Sequence, residues 1–249
     1  MKALTVLSPH FDDSVLSCGG QLWQAGRAGT PLRVLTLFAG PPPVPLPSFA
    51  AEQHRMWGDP PDANALRRAE DVTAHLRLGC AELHHLAPPD AVYRVGPRGE
   101  PLYGSEGAIF GELHGAEAAL AQRLTDLVRP LLLRGTVLAP LGIGHHVDHQ
   151  LAHAVGRRLA AAGIEVRFYE ELPYVETGQP TLGAGWRLER IMLDEGAIRA
   201  KIAAMAYYRS QIPVLYGSER EMARRIRQVA IEAAGGDGLA ERRWRRADA

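Results

Sequence analysis

Lysine is almost missing from this 249-residue chain: it occurs only at Lys2 and Lys201, so nearly all of the 28 basic side chains are arginines. GC-rich coding explains that skew without invoking chemistry, and no function follows from it. Cysteine is as scarce, with only Cys18 and Cys80, which excludes a disulfide-stapled scaffold. Net charge is absent too, because 28 acidic residues cancel the 28 basic ones. No global field therefore draws the chain to nucleic acid or an anionic membrane. No run approaches the roughly 18 apolar residues of a membrane span, so an integral membrane segment is not expected. The apolar run Ala3 to Leu7 meets His10, Asp12 and Asp13 too soon to be the h-region of a signal peptide. It reads as the first strand of a cytoplasmic protein.

What is present is globular chemistry: 46% hydrophobic and 22% charged residues can bury a substantial core, and the length suits one domain over residues 1–249. Ala3 to Leu7 and Leu32 to Phe38 are short strand-like runs flanking one helix, Ser14 to Ala25, closed by Gly26 and Gly29, which is a βαβ pattern. Because these runs are continuously apolar, they suit an α/β, Rossmann-like, mostly parallel sheet with helices on both faces. Further strands are expected at Glu82 to Leu86, Val137 to Leu141, Ile164 to Tyr169 and Trp186 to Leu193. Helices are expected at Ala63 to Leu78, Ala116 to Leu133, Asp148 to Ala162, Glu195 to Tyr208 and Glu219 to Ala233. Two long stretches interrupt the alternation, Gly40 to Asp62, opening with PPPVPLP, and Ala87 to Gly115. Loops of that length are usually functional, and both follow strands, so they are expected to be active-site loops at the carboxyl edge of the sheet. The tail ERRWRRADA reads as a solvated or frayed end.

Chemistry concentrates at two strand-to-helix junctions. The first, Ser8-Pro9-His10-Phe11-Asp12-Asp13-Ser14, would project ionisable groups into the crevice. Helix capping accounts for one of Asp12, Asp13 or Ser14, but it leaves His10 and a second carboxylate without a task. Adjacent like charges need a cation or hydrogen bonds. The second junction is Gly142-Ile143-Gly144-His145-His146-Val147-Asp148-His149. Ten histidines in the whole chain predict fewer than one in any nine-residue window, yet residues 145–153 hold four, a cluster that needs a cause. His149 and His153, four apart on a helix, are a rival zinc pair, but the glutamate of H-E-x-x-H is missing. Imidazole and carboxylate from the first junction with imidazole from the second make a donor set zinc accepts while keeping an open position. Zinc would lower the pKa of a bound water to about 7, with a nearby free carboxylate as proton acceptor. Cys18, in Ser17-Cys18-Gly19-Gly20, reads as a packed small residue, and the glycines there do not form G-x-G-x-x-G, which disfavours a dinucleotide site.

These residues resemble the PIG-L (LmbE-like) superfamily of zinc-dependent N-deacetylases, whose motifs A-H-P-D-D-E and H-x-D-H are matched by Pro9 to Asp13 and by His146-Val147-Asp148-His149. The resemblance implies a Rossmann-like fold and Zn2+, or another divalent ion such as Fe2+, held by His10, Asp13 and His149. It makes Asp12 the general base and His146, paired with Asp148, the electrophile or acid, with His145 as the competitor for that role. Arg67-Arg68-Ala69-Glu70 ahead of Leu78-Gly79 resembles the family's R-x-x-E…L-G helix, which would make Arg67 a substrate-binding residue; otherwise it is a surface arginine. Asp90, in Pro89-Asp90, matches an aspartate that holds a sugar hydroxyl. Tyr169 to Tyr174 and Lys201 to Gln211 resemble later blocks, so the likeness runs from Ala3 to about Ile226.

Two positions depart from the motif, Phe11 for proline and Ser14 for glutamate, so a carboxylate behind the metal ligands is missing. The expected function is removal of the acetyl group from an N-acetylated amino sugar or an N-acetylglucosamine-containing conjugate, a small-molecule substrate. The alternatives are an amidase for a larger conjugate and a non-catalytic carbohydrate-binding protein. The sequence leaves room for a homo-oligomer.

Overall fold

The computed structural model describes residues 2–80, 82–178 and 182–247. Its centre is a seven-stranded sheet of β1 (Ala3–Ser8), β2 (Leu32–Thr36), β3 (Glu82–His85), β4 (Gly135–Pro140), β5 (Val166–Tyr169), β6 (Trp186–Leu193) and β7 (Leu239–Arg246), in the order β3-β2-β1-β4-β5-β7-β6. The first five strands pair in parallel, and β7 runs antiparallel between β5 and β6. The strand order reverses at β1, because β2 and β3 lie to one side and β4 and β5 to the other. Open α/β sheets form their binding crevice at such a switch point.

The helices are α1 (Asp13–Arg27), α2 (Ser48–Met56), α3 (Ala63–Arg77), α4 (Glu106–Ile109), α5 (Leu120–Val128), α6 (Val147–Ala161), α7 (Glu195–Met205), α8 (Ile212–Tyr216) and α9 (Glu219–Ala234). Two apolar layers sandwich the sheet. On one face Val15, Leu16, Ile198, Met205 and Ile226 pack with Val6, Val34 and Tyr169. On the other, Leu124, Leu151 and Val155 pack with Leu7, Leu35 and Phe168. A third cluster, with Phe49, Val92, Tyr93, Ile109 and Val147, knits the two long loops together. Cys18 is fully buried in the first layer as a free thiol, which is the packing role expected of it. No described helix is long and apolar enough to cross a membrane.

Three expectations are corrected. The helix foreseen over Ala116 to Leu133 is divided into a 3-10 turn Gly115–Glu117, α5, and a 3-10 turn Arg129–Leu131, since Pro130 has no amide hydrogen to continue the ladder. The stretch 40–62 is not all loop, because it contains α2. The tail is not frayed: Leu239–Arg246 is β7, while Asp248 and Ala249 lie outside the described residues. Arg243 and Arg245 share Glu189 with Arg167, Arg246 lies over the Trp186 ring, and Trp244 Nε1 donates to Glu170 Oε1 at 2.8 Å.

Glu241 of β7 is buried and turned inward, accepting from the Gly20 and Gln21 amides of α1 and from Lys201 Nζ of α7, at 2.7–2.9 Å. Gly20 lets the helix approach closely here, since a Cβ would lie 2.6 Å from Leu193 Cδ1 and force that side chain to shift. Removing one partner of a buried ion pair strands the other charge in a poor dielectric. Lys201→Met is therefore expected to destabilise the fold by about 3–5 kcal/mol, read as a lower urea midpoint. An unchanged midpoint would show that Glu241 is satisfied without the lysine.

Candidate active site

The turn after β1 and the turn after β4 meet because these strands are paired neighbours, Val6 opposite Leu138. Ser8 Oγ shapes the first turn by donating to the His10 carbonyl and accepting from the Ser14 amide. The His10 amide donates to Asp13 Oδ2 at 2.8 Å. Asp12 stands at the N-cap of α1 without a side-chain capping bond, so capping consumes neither carboxylate.

His10 Nδ1 and His149 Nε2 each lie 3.3 Å from Asp13 Oδ2, and the three residues offer ligand atoms within 4.8 Å of one another. His149 Nε2 is buried and has no hydrogen-bond partner. A buried, unsatisfied nitrogen is costly, and this one beside a carboxylate and a second imidazole fits a divalent cation. A second trio, His10, His146 and Asp148, is equally close, but its atoms are already committed. The Asp148 carboxylate accepts from His10 Nε2 and the Ala91 amide, both at 2.9 Å, and from Arg94 Nη1. His146 Nδ1 accepts from the Asp148 amide. The rival pair fails, since His153 Nδ1 faces the Pro140 carbonyl at 3.1 Å and its ring lies against Phe168.

Electrostatics separate the roles. Burial opposes a proton on His10, but Asp90, Asp13 and Asp148 outweigh it and hold the imidazole well above its ordinary pKa. Burial likewise opposes protonation of His149, and Asp13 and Glu171 raise it to about 9. Asp13 resists burial through His149 and His10 and stays well below the carboxylate range. Asp12 moves the other way: burial, helped by Asp13 and opposed by Arg67 and His10, raises it to about 6. His146 is held well below its ordinary value by burial and by His10 and His149, against the pull of Asp148. The expected pairing, in which the Asp148 carboxylate keeps His146 protonated, is therefore corrected. That carboxylate faces His10, Ala91 and Arg94, and only the Asp148 amide bonds to His146. With Nδ1 accepting, the neutral ring carries its hydrogen on Nε2.

His10, Asp12, Asp13, Arg67, Asp90 and His146 all line one cavity of about 280 Å³. Arg67 is no surface residue. It is 7% exposed, lies 3.6 Å from Asp12 and 3.7 Å from Asp90, and its guanidinium stacks on Trp57 at 4.7 Å. His145 is exposed and does not line the cavity, with its carbonyl bonded to Gln150. Of the long loops, α2 contributes Gln53 and Met56, Trp57 follows it, and the second loop contributes Val92, Glu106, Ile109 and Phe110. The prolines of PPPVPLP face elsewhere: Pro41 and Pro43 line a separate groove with Pro88 and Arg94.

Sequence reasoning missed Arg94 and Glu171. Arg94 lies in an irregular loop with no motif, yet it spans the Asp148 and Glu117 carboxylates. Glu171 had a signal in its position just past β5 at the carboxyl edge. Ser14 is also resolved: its Oγ bonds His75 Nε2 at 2.8 Å, and His75 is backed by Asp71. Asp148 Oδ2 faces His10 Nε2 at 2.9 Å, and Glu171 Oε1 faces His149 Nδ1 at 3.4 Å.

Comparison with known proteins agrees with this geometry. Residues 5–160 match the family described as PIG-L, GlcNAc-PI de-N-acetylase. The 2'-N-acetylparomamine deacetylase of Niallia circulans is 32% identical over 234 residues, covering 88% of this chain and 84% of that protein. Its namesake in Streptomyces fradiae is 33% identical over 217 residues, covering 83% and 72%. The crystal structure of the zinc-inhibited form of teicoplanin deacetylase Orf2 superposes with a TM-score of 0.88 at 29% identity over 99% of both chains. With the family pattern extending over more than half its length and both deacetylase relatives spanning most of it, this chain belongs to the PIG-L family of de-N-acetylases.

Proposed function

We propose that this protein is a zinc-dependent hydrolase that removes the acetyl group from an N-acetylated amino sugar. The observation that carries the reading is the His149 Nε2, which is buried without a hydrogen bond beside Asp13 and His10, next to a cavity lined by His10, Asp12 and Asp13. His10, Asp13 and His149 would hold the metal, which when bound supplies Lewis acidity and an activated water. Asp12 takes the proton of the attacking water and returns it to the leaving nitrogen, giving acetate and a free amine. His146 Nε2–H donates to the amide oxygen as negative charge develops there. Arg67 and Asp90 hold sugar hydroxyls, and Phe110 and Trp57 wall the cavity against bulk water. A buried carboxyl pushed upward by burial and left out of the metal trio suits proton transfer.

The relatives named for paromamine and teicoplanin differ in what carries the amino sugar. In this chain Met56, Trp57, Val214 and Leu215 line the cavity, with Asp90 and Glu106 the acidic residues contributed by the second loop. That lining supports a sugar attached to an apolar body over a free polycationic one. A screen of N-acetylated sugars and glycosides for released acetate tests the reading, and no acetate from any of them would refute it.

His10→Ala is expected to lose most of its zinc by elemental analysis, and full retention would remove His10 from the metal site. Asp12→Asn should keep zinc and lose about 10²- to 10⁴-fold in kcat. A base works deprotonated, so wild-type activity falls as pH drops through Asp12's pKa. A bound cation pulls that limb to about 6 or below, and Asp12→Asn abolishes it. His146→Ala should retain zinc and KM while losing about 10²- to 10³-fold in kcat; near-normal turnover would assign the oxyanion contact elsewhere.

A further inference from the structure

We infer that Glu171 is a positioning residue for metal binding, fixing the tautomer and orientation of His149 from behind. The inference rests on the reading of His149 as a metal ligand. β4 and β5 are adjacent and parallel, Pro140 opposite Tyr169, so a residue just past β5 reaches the turn just past β4. There the Leu141 amide donates to Glu171 Oε2 at 3.1 Å, and the Gly142 and Ile143 amides donate to Oε1 at 2.6 and 3.2 Å. Gly142, Gly144 and His145 have positive φ, and turns of this kind aim successive amides into an anion-binding concavity. The turn alone could hold a carboxylate. What sets Glu171 apart is that Oε1 also faces His149 Nδ1 at 3.4 Å, while Nε2 of the same ring has no hydrogen-bond partner. An imidazole whose Nδ1–H is directed to a carboxylate presents the Nε2 lone pair, and such a partner also makes the nitrogen a better donor to a metal. Tyr174, edge-on to His149 at 5.2 Å between ring centres, holds the ring plane. His10 has the matching arrangement, with Nε2 on Asp148 and Nδ1 toward Asp13.

The test is zinc affinity, measured by chelator competition on wild type, Glu171→Gln, Glu171→Asp and Glu170→Gln, with circular dichroism of each metal-free protein alongside. Glu170 is the adjacent carboxylate turned away to Trp244, and its replacement should leave affinity unchanged. Glu171→Gln should weaken zinc binding about 10- to 100-fold, with Glu171→Asp between it and wild type. In the zinc-loaded wild type the His149 Nδ1 proton should exchange slowly by NMR, and in Glu171→Gln it should exchange fast. A residue that only ties the turn would change the melting of the metal-free protein without moving affinity. Wild-type affinity in whichever Glu171 variant folds overturns the inference while leaving the deacetylase reading intact. A wild-type protein that takes up no zinc overturns both.

Discussion

Asp12, Asp13, Asp90, Asp148 and Glu171, with Glu117 beyond Arg94, are all buried, and their mutual repulsion is the constraint that the rest of the site answers. Several unpaired carboxylates removed from water would each cost several kcal/mol or take up a proton. Here each has a different answer. Arg94 lies between Asp148 and Glu117, Arg67 between Asp12 and Asp90, and backbone amides surround Glu171. Asp13 is left to two imidazoles, whose raised pKa values show how strongly the cluster demands positive charge at that point. A divalent cation meets the same demand at neutral pH without protonating the histidines.

The sheet topology makes this concentration possible. Reversal of strand order at β1 opens a crevice between the turns after β1 and β4, and the second long loop closes over it. That closure is anchored by charge: Ala91 and Arg94 of the loop both bind Asp148, the residue that also bonds the His10 ring. One carboxylate therefore registers the β1 turn, the loop after β3 and the helix α6 against one another.

The parallel core was legible because buried strands and amphipathic helices have distinct apolar periods, and β6 was located to the residue. The meeting of the two junctions was legible because strand ends in an α/β sheet share one edge, while the choice of His10, Asp13 and His149, which lie together here, came from the family resemblance. The pairing of Asp148 with His146 was not, since two residues of spacing on a helix start do not say whether an amide or a carboxylate faces the imidazole. β7 was illegible for a related reason. An arginine-rich run reads as solvated until the partners that neutralise it, Glu189 on β6 and Glu170 just past β5, are known to lie beside it. Arg94 acts through long-range contacts that no local pattern encodes.

The place of β7 bears on how the molecule assembles. Among the described residues β6 pairs only with β7, and β7 is also what joins β6 to β5. During synthesis from the N-terminus the five parallel strands can pair as they emerge, whereas β6 must wait, with the margin of β5 uncovered, until α9 and then β7 have followed. A nascent chain at that stage presents two open strand margins of the kind that recruit foreign strands. Mutations that slow the docking of β7 would therefore act on yield and aggregation before they act on the finished enzyme.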